Sequence, residues 1–124
     1  MEKNPVTAAR AAYEAYVRKD RAAMEALVAP EYRFTSPLDN GLDRATYFAR
    51  CWPNSAQFAS IDLVQAVEAG DQAFVVYEGH TSAGKSFRNC ELHTVRNGRL
   101  VATEVYFGWN LPHKAKPGGF IADA

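Results

Sequence analysis

The chain has 124 residues, of which 48% are hydrophobic and 12% aromatic, which excludes a disordered protein and predicts a single domain with its own core. Fourteen basic and fourteen acidic side chains cancel to a formal net charge of zero, and no basic stripe appears, so nucleic acid is not an expected partner. No apolar run reaches membrane-spanning length and no basic-then-apolar leader opens the sequence, so we expect no membrane partner.

The first two helices are predicted from their caps. Asn4 followed by Pro5 is typical of a helix start, and apolar residues then recur at helical spacing as far as Val17. Asp20 is placed to cap a short second helix, which Pro30 is expected to end.

A short strand, a loop and a third helix follow. Residues 32–35 alternate aromatic and polar side chains, which puts Tyr32 and Phe34 on one face of a strand. Residues 36–41 consist largely of turn-forming residue types and predict a loop. Asp43 is placed to cap the third helix.

The second half of the chain predicts an antiparallel meander of long strands. A tight turn at Asn97 and Gly98 is typical of a hairpin between the last two. Three N-terminal helices followed by strands predict an α+β fold, with the helices packed on a curved, mainly antiparallel sheet. The whole chain, 1–124, is predicted to be one domain, ending in an irregular arm over 108–124. The predicted strands cover 58–69, 73–81, 87–95 and 100–107.

The third of these strands has an unusual face. Side chains alternate across a strand, and three of the five that share this face are polar. The neighbouring strand presents an apolar face interrupted only by Thr103, so the sheet is expected to bury this side. We therefore favour a cavity lined by polar groups over a face in water. The face consists of Phe87, Asn89, Glu91, His93 and Val95.

Glu91 and His93 are the strongest candidates for chemistry. They stand two residues apart on one strand face, about 7 Å between α-carbons. A carboxyl and an imidazole in one low-dielectric pocket form the usual apparatus of general acid–base catalysis. The structural alternative is a buried hydrogen bond that holds the sheet and a helix together.

The orientation of a second histidine is ambiguous. In the strand 73–81, alternate apolar residues fall on both faces, so the pattern does not decide which face is buried. If Phe74 faces inward, Glu78 and His80 also face the interior. The histidines and carboxylates lack tight metal-ligand spacing, and neither a phosphate loop nor a dinucleotide fingerprint occurs, so we expect no metal and no cofactor.

Cys51 and Cys90 stand alone, without metal-ligand or Cys-x-x-Cys spacing. Buried free thiols in a reducing cytoplasm explain them, and a disulfide between them stays an alternative. We therefore expect a cytoplasmic protein.

Three segments carry a resemblance to a known family. They are the helical opening YEAYVRKD at 13–20, the strand-to-loop step YRFTSP at 32–37, and the closing hairpin at 98–107. On these segments the chain resembles the NTF2-like superfamily, specifically its SnoaL-like and ketosteroid-isomerase-like members, over roughly residues 6–111. The resemblance implies a cone of helices and curved sheet around a deep pocket, often as a homodimer.

The resemblance also implies roles for single residues. Tyr13 falls at the tyrosine position of ketosteroid isomerases, and Glu91 falls at the position of their aspartic acid in the sheet. Ser36, directly before Pro37, stands where they carry the general base. A serine does not remove a carbon-bound proton without a base of its own, which argues against steroid-type isomerisation. Asp39, three residues further on, is a candidate substitute for that base, and turn chemistry is the alternative role of an aspartate in such a loop.

These observations lead to one functional hypothesis and an alternative. The first is a cofactor-free isomerase, cyclase, dehydratase or hydrolase acting on a small apolar or amphipathic oxygenated compound. In it, Glu91 and His93 transfer protons, while Tyr13 and Asn89 polarise a carbonyl or hydroxyl. The alternative is a non-catalytic ligand-binding or dimerising module. Further expected ligand contacts are Ser36, Asp39, Tyr32, Phe34, Phe48, Trp52, Phe107 and Trp109; the expected dimer surface is the opposite sheet face with Cys90, Leu92, Thr94, Glu104 and Tyr106.

Overall fold

The computed structural model describes residues 4–108, which form three α-helices, a 3₁₀ helix and six strands. Among these residues, no helix has both the length and the apolar character needed to cross a membrane. The helices are α1 (Pro5–Arg18), α2 (Arg21–Leu27), α3 (Arg44–Arg50) and the 3₁₀ helix (Trp52–Gln57). The strands are β1 (Val28–Ser36), β2 (Asp39–Leu42), β3 (Phe58–Ala69), β4 (Gln72–Thr81), β5 (Ser86–Arg96) and β6 (Arg99–Phe107).

The six strands form one sheet in the order β2-β1-β6-β5-β4-β3. All neighbouring strands are antiparallel except β1 and β6, which run parallel. The α+β class, with helices on a mainly antiparallel curved sheet, is therefore confirmed. The predicted arm lies outside the described residues from 109 onward, and its structure stays a prediction.

The predicted helix starts are confirmed by their caps. The side chains of Asn4, Asp20 and Asp43 each accept a hydrogen bond from a backbone N–H two or three residues further along the chain. These bonds satisfy donors that the first helical turn leaves without a partner. Helix α1 ends at Arg18 and is capped by Lys19, whose left-handed backbone lets its N–H bond back to the last turn.

The segment after α2 differs from the prediction. Pro30 does not end the helix, because α2 already ends at Leu27 and Pro30 lies inside β1. Pairing of Val28 with Leu100 on β6 draws the chain into the sheet at that point. The register between β1 and β6 is irregular from Val28 to Arg33, so the missing N–H of Pro30 falls where the ladder is interrupted.

The predicted loop at 36–41 also contains a strand. Residues Asp39–Leu42 form β2, which pairs with β1 at the edge of the sheet through Phe34 opposite Leu42. Turn residues dominated the local pattern there, and the pairing that extends the sheet became visible only in the tertiary structure.

Helix α1 packs closely on the sheet because its buried face consists mainly of alanines. Ala9 and Tyr13 join one core cluster with inward-facing residues of β4 and β5, including Val75 and Phe87. A second cluster lies between α1, α2, α3 and the other end of the sheet. The small side chains allow a close approach, and Tyr13 then reaches over the sheet surface.

The structure settles which face of β4 is buried. Val75 is 0% exposed, whereas Phe74 is 44% exposed. Glu78 and His80 share the parity of Phe74, so they lie on the outer face and not in the interior. The inner face of β5 is the predicted one, with Phe87, Asn89, His93 and Val95 buried and Glu91 partly buried.

We expect Gly79→Ala to destabilise the protein by about 1–3 kcal/mol through overpacking. A Cβ at Gly79 would lie 2.7 Å from the ring of Phe87, and that ring is itself held against Phe58 and Tyr77. Urea unfolding measures the loss. The double variant Gly79→Ala with Phe87→Leu should recover part of it, and additive effects of the two changes would contradict the explanation.

Candidate functional site

A tyrosine of α1 meets a carboxyl and an imidazole of β5 inside the domain. The hydroxyl oxygen of Tyr13 is 2.9 Å from Oε1 of Glu91 and 2.7 Å from Nε2 of His93. The same oxygen of Glu91 and nitrogen of His93 are 3.2 Å apart. Each of the three polar atoms is thus within hydrogen-bonding distance of both others. We call this group the Tyr13–Glu91–His93 triangle.

The second oxygen of Glu91 bonds to another tyrosine. Tyr77 on β4 donates its hydroxyl proton to Oε2 of Glu91 over 2.9 Å. Asn89 lies opposite Tyr77 in the strand register and donates from Nδ2 to the Tyr77 hydroxyl over 3.2 Å. Both carboxyl oxygens of Glu91 therefore lie at hydrogen-bonding distance from a tyrosine hydroxyl.

Thr103 orients the imidazole from the neighbouring strand. It lies opposite His93 in the register of β5 and β6, and its Oγ1 is 3.0 Å from Nδ1 of His93. Burial raises the pKa of Tyr32, and a hydrogen bond from Thr103 lowers it by a smaller amount. Because the Thr103 hydroxyl donates its one proton to Tyr32, it accepts a hydrogen bond from Nδ1–H of His93. The other ring nitrogen of His93, Nε2, is then an acceptor that faces the triangle.

The triangle is almost closed to solvent. The side chain of His93 is 4% exposed and that of Glu91 is 12% exposed. Burial, followed by the negative charge of Glu91, raises the pKa of Tyr13 well above its usual value. The same two causes raise the pKa of Tyr77. Both tyrosines are therefore neutral hydrogen-bond donors at physiological pH.

The triangle has the composition of a proton relay. Tyr13 has one hydroxyl proton and two acceptor atoms within reach, Oε1 of Glu91 and Nε2 of His93, so it donates to one of them at a time. A proton gained by either partner passes to the other through a movement of the hydroxyl proton. The arrangement therefore links two proton acceptors through one hydroxyl in a site of low dielectric, and whichever of them gains a proton becomes the acid.

Two of the expected ligand contacts lie elsewhere and bond to each other. Ser36 donates its hydroxyl proton to Asp39 over 3.0 Å across the turn between β1 and β2. The backbone N–H of Leu38 bonds to the Ser36 hydroxyl, and Arg50 of α3 lies 3.7 Å from Asp39. These contacts give both side chains a structural role in the turn, as in an Asx or Ser turn.

The expected aromatic wall is part of the core. Tyr32, Phe48 and Trp52 are buried in one cluster, with Phe34 packed against it. The ring of Tyr47 on α3 makes edge-on or tilted contacts with three of them. It is a central member of the cluster that the sequence pattern did not single out. Phe107 ends β6, and Trp109 lies outside the described residues.

The outer-face histidine takes part in a separate charged cluster. His80 is 2.9 Å from Asp62 through Nε2 and 2.8 Å from Ser86 through Nδ1. Arg88 forms an ion pair with Glu78 over 3.0 Å. Within 4–108, no group of three or more histidine, cysteine or acidic side chains is arranged to hold a metal ion.

Two surface grooves lie away from the triangle. One, of about 680 Å³, runs between α1, α2 and the β5–β6 turn, with Arg18, Leu27 and Asn97 among its lining residues. The other, of about 180 Å³, is lined by residues that include Glu25 and Arg44. A hydrophobic pocket over the triangle stays a prediction.

Sequence reasoning missed two members of the hydrogen-bonded site. Tyr77 was hidden because both faces of β4 are apolar in sequence. Thr103 was noted only as an interruption of an apolar face, yet it is the one polar residue on the inner face of β6 and stands opposite His93. A polar residue in an apolar face, placed across from a histidine, is the pattern that points to it.

The fold agrees with the comparisons with known proteins. Residues 9–103 match the family model of the SnoaL-like domain, and the chain belongs to the SnoaL-like domain family. Its fold is the NTF2-like fold. A comparison with curated protein sequences finds no match to this chain.

Several solved structures share the fold. A protein from Kribbella flavida is similar over 85% of this chain and 87% of its own, with a TM-score of 0.75 and 21% identity. An NTF2-like protein from Burkholderia thailandensis is similar over 86% and 92%, with a TM-score of 0.65 and 26% identity. IdmH, a putative polyketide cyclase from Streptomyces antibioticus, is similar over 83% and 91%, with a TM-score of 0.66 and 23% identity.

We expect steep alkaline unfolding, because burial raises the pKa of five of the six tyrosines. The unfolded chain releases these protons near the ordinary tyrosine pKa of 10.0, whereas the folded chain retains them. The contribution of these tyrosines to the free energy of unfolding is therefore fully present below pH 10 and is lost as the pH rises above it. Each such tyrosine lowers the free energy of unfolding by about 1.4 kcal/mol per pH unit.

Tyrosinate absorbance and circular dichroism, followed together on raising the pH, measure this effect. Absorbance from the buried tyrosines should appear only as the fold is lost. Tyr13→Phe should reduce the slope of stability against pH by the contribution of one tyrosine. Complete tyrosine ionisation near pH 10 in a protein with native dichroism would contradict the expectation.

Proposed function

We propose that this SnoaL-like protein binds a small, largely apolar oxygenated molecule over the Tyr13–Glu91–His93 triangle and acts on it by acid–base catalysis without a cofactor. The observation that carries the proposal is the triangle itself, in which a buried carboxyl, an imidazole and a tyrosine hydroxyl lie within 3.2 Å of one another. The reaction class is isomerisation, cyclisation, dehydration or hydrolysis.

The proposed roles follow from the donors and acceptors. Glu91 or His93 takes a proton from the ligand, and the other returns one to a different atom. Tyr13 moves the proton between them, because its one hydroxyl proton, which its raised pKa retains at rest, bonds to either acceptor in turn. Thr103 holds the ring of His93 so that Nε2 faces the reacting atoms.

The family supports the same class of protein. The chain belongs to the SnoaL-like family and shares its fold with a protein described as a putative polyketide cyclase. Polyketide intermediates are oxygenated carbon skeletons with acidic C–H groups, which are activated by proton transfer rather than by a nucleotide or metal. Chemistry of that kind needs paired donors and acceptors in a dry site, which the triangle supplies.

A binding protein without catalysis is the second candidate. Its support is Ser36, which replaces the base of the ketosteroid isomerases and bonds to Asp39 in the turn between β1 and β2. That hydroxyl donates its proton to Asp39 and accepts from the backbone N–H of Leu38, so Ser36 is engaged in the turn. In this second candidate the triangle orients an oxygenated ligand and leaves it unchanged.

Deuterium exchange into a simple ketone separates the two candidates. For 1-tetralone in D₂O, we expect the protein to accelerate exchange at the carbon next to the carbonyl, followed by mass spectrometry. Glu91→Gln keeps the shape of the side chain and removes its titration, so it should lower the protein-dependent rate by about 10²–10⁴-fold while retaining ligand binding. Glu31→Gln is the matched control, because Glu31 is exposed on β1 and takes no part in the triangle.

The outcomes are distinct. Binding without accelerated exchange would favour the non-catalytic candidate. An equal loss of rate in both glutamine variants would show that the exchange does not depend on the triangle. Absence of both binding and exchange would argue against a ligand site for this class of molecule.

We also propose that the protein is a homodimer joined through the outer face of the sheet. Phe74 and Tyr106 are 44% and 53% exposed on that face, and the register places Leu92 directly opposite Phe74 and Cys90 opposite Tyr106. Glu104 and the Arg88–Glu78 ion pair bring both signs of charge to the same surface. An apolar surface flanked by both charges is self-complementary, which suits a two-fold interface.

Phe74→Asp tests the dimer. Sedimentation equilibrium should give twice the mass of the chain for the unchanged protein and the mass of one chain for this variant, because a carboxylate would be buried in the interface. Leu38→Asp is the control, since Leu38 is exposed to a similar degree in the β1–β2 turn, away from this face. A monomer in the unchanged protein at micromolar concentration would contradict the proposal.

We further propose a reducing compartment, the cytoplasm. Cys51 and Cys90 are both free and partly buried. Burial raises the pKa of Cys51 to about 11, so its thiol stays protonated and slow to oxidise.

A further inference from the structure

One buried polar atom of the site has no partner. The side-chain oxygen Oδ1 of Asn89 makes no hydrogen bond, although Asn89 is only 4% exposed. Buried polar groups in folded proteins are almost always hydrogen-bonded, and an exception at a candidate site points to a group that is supplied from outside. The partner of Oδ1 must be a donor, because a carbonyl oxygen only accepts.

The hydrogen bonds around Tyr77 determine which end of the Asn89 side-chain amide has no partner. Tyr77 has a single hydroxyl proton and donates it to Oε2 of Glu91. Its oxygen must therefore accept from Asn89, which requires Nδ2 rather than Oδ1 to face Tyr77. The bond from Tyr77 to Glu91 thus sets the direction of the bond from Asn89, and the acceptor end of Asn89 points away from Tyr77.

The position of this acceptor suits a ligand that also reaches the triangle. Asn89 and Glu91 lie on the same inner face of β5, two residues and about 7 Å apart between α-carbons. One ring of a small aromatic or alicyclic molecule spans that distance. This placement changes the expected role of Asn89, because its donor is already bonded to Tyr77 and does not polarise a carbonyl.

We propose that Asn89 is a specificity-determining residue that accepts a hydrogen bond from a ligand hydroxyl, so that the site selects an alcohol or phenol over the matching ether. The inference rests on the proposed function, since it assumes that a small oxygenated molecule binds at the triangle. It adds the chemical group that the molecule carries at the end of the site next to Asn89. Tyr77 acts as the positioning residue for that contact.

Phenol and anisole are the probes, because they differ only in whether the oxygen carries a proton or a methyl group. Titration of ¹⁵N-labelled protein with each, followed at the backbone amides of Glu91 and His93, gives two dissociation constants. We expect phenol to bind about tenfold more tightly than anisole, the effect of one hydrogen bond to a buried acceptor.

Two variants assign the preference to Asn89. Asn89→Leu has a similar shape without an acceptor, so the ratio of the two dissociation constants should fall to about one while anisole still binds. Tyr77→Phe leaves the amide free to turn its NH₂ group toward the ligand, so it should weaken phenol and strengthen anisole, whose oxygen only accepts. A purely structural role of Tyr77 would weaken both probes alike. This second variant also provides the test if Asn89→Leu does not fold.

Three results would overturn the proposal. Equal dissociation constants for phenol and anisole in the unchanged protein would exclude a selecting acceptor while leaving the proposed function intact. A tenfold preference that persists in Asn89→Leu would assign the selection to Glu91 or His93 instead. Failure of both probes to shift the β5 amides would count against both this inference and the proposed ligand site.

Discussion

The burial of the Glu91 carboxylate is the constraint on which the rest of the structure depends. A charged group inside a protein is tolerated only when hydrogen bonds replace the water that it loses. Here Tyr13 of α1 and Tyr77 of β4 each donate to one of its oxygens, and His93 stands beside it. The carboxylate thereby ties a helix and two strands to one point, and that point is the candidate site.

The same carboxylate organises groups that do not touch it. Through Tyr77 it sets the direction of the Asn89 amide. Through Tyr13 it shares a proton with His93, whose ring is held from the other side by Thr103. In a polar network of this kind the hydrogen bonds of one residue determine those of the next, because each residue has few donors and acceptors.

The candidate site differs from that of the ketosteroid isomerases at the position of their base. Those enzymes place their base before a proline in the segment where this chain has Ser36, and here Ser36 is engaged in a turn with Asp39. The carboxyl and the imidazole of the candidate site lie instead on β5. The fold is thus retained while the candidate titratable groups stand at other positions, which is why the family name by itself does not determine the reaction.

The sequence by itself determined the helix caps, the strand order of the meander, and the inner face of β5, because capping, turn chemistry and alternation act over a few residues. Alternation along β5 also put Glu91 and His93 on one face, and the family resemblance added Tyr13 to them. Only the tertiary structure decided that Tyr77 faces inward, since both faces of β4 are apolar in sequence and packing against α1 selects one. The same holds for Pro30 and for β2, where pairing across the sheet overrode local preferences for a helix end and a loop.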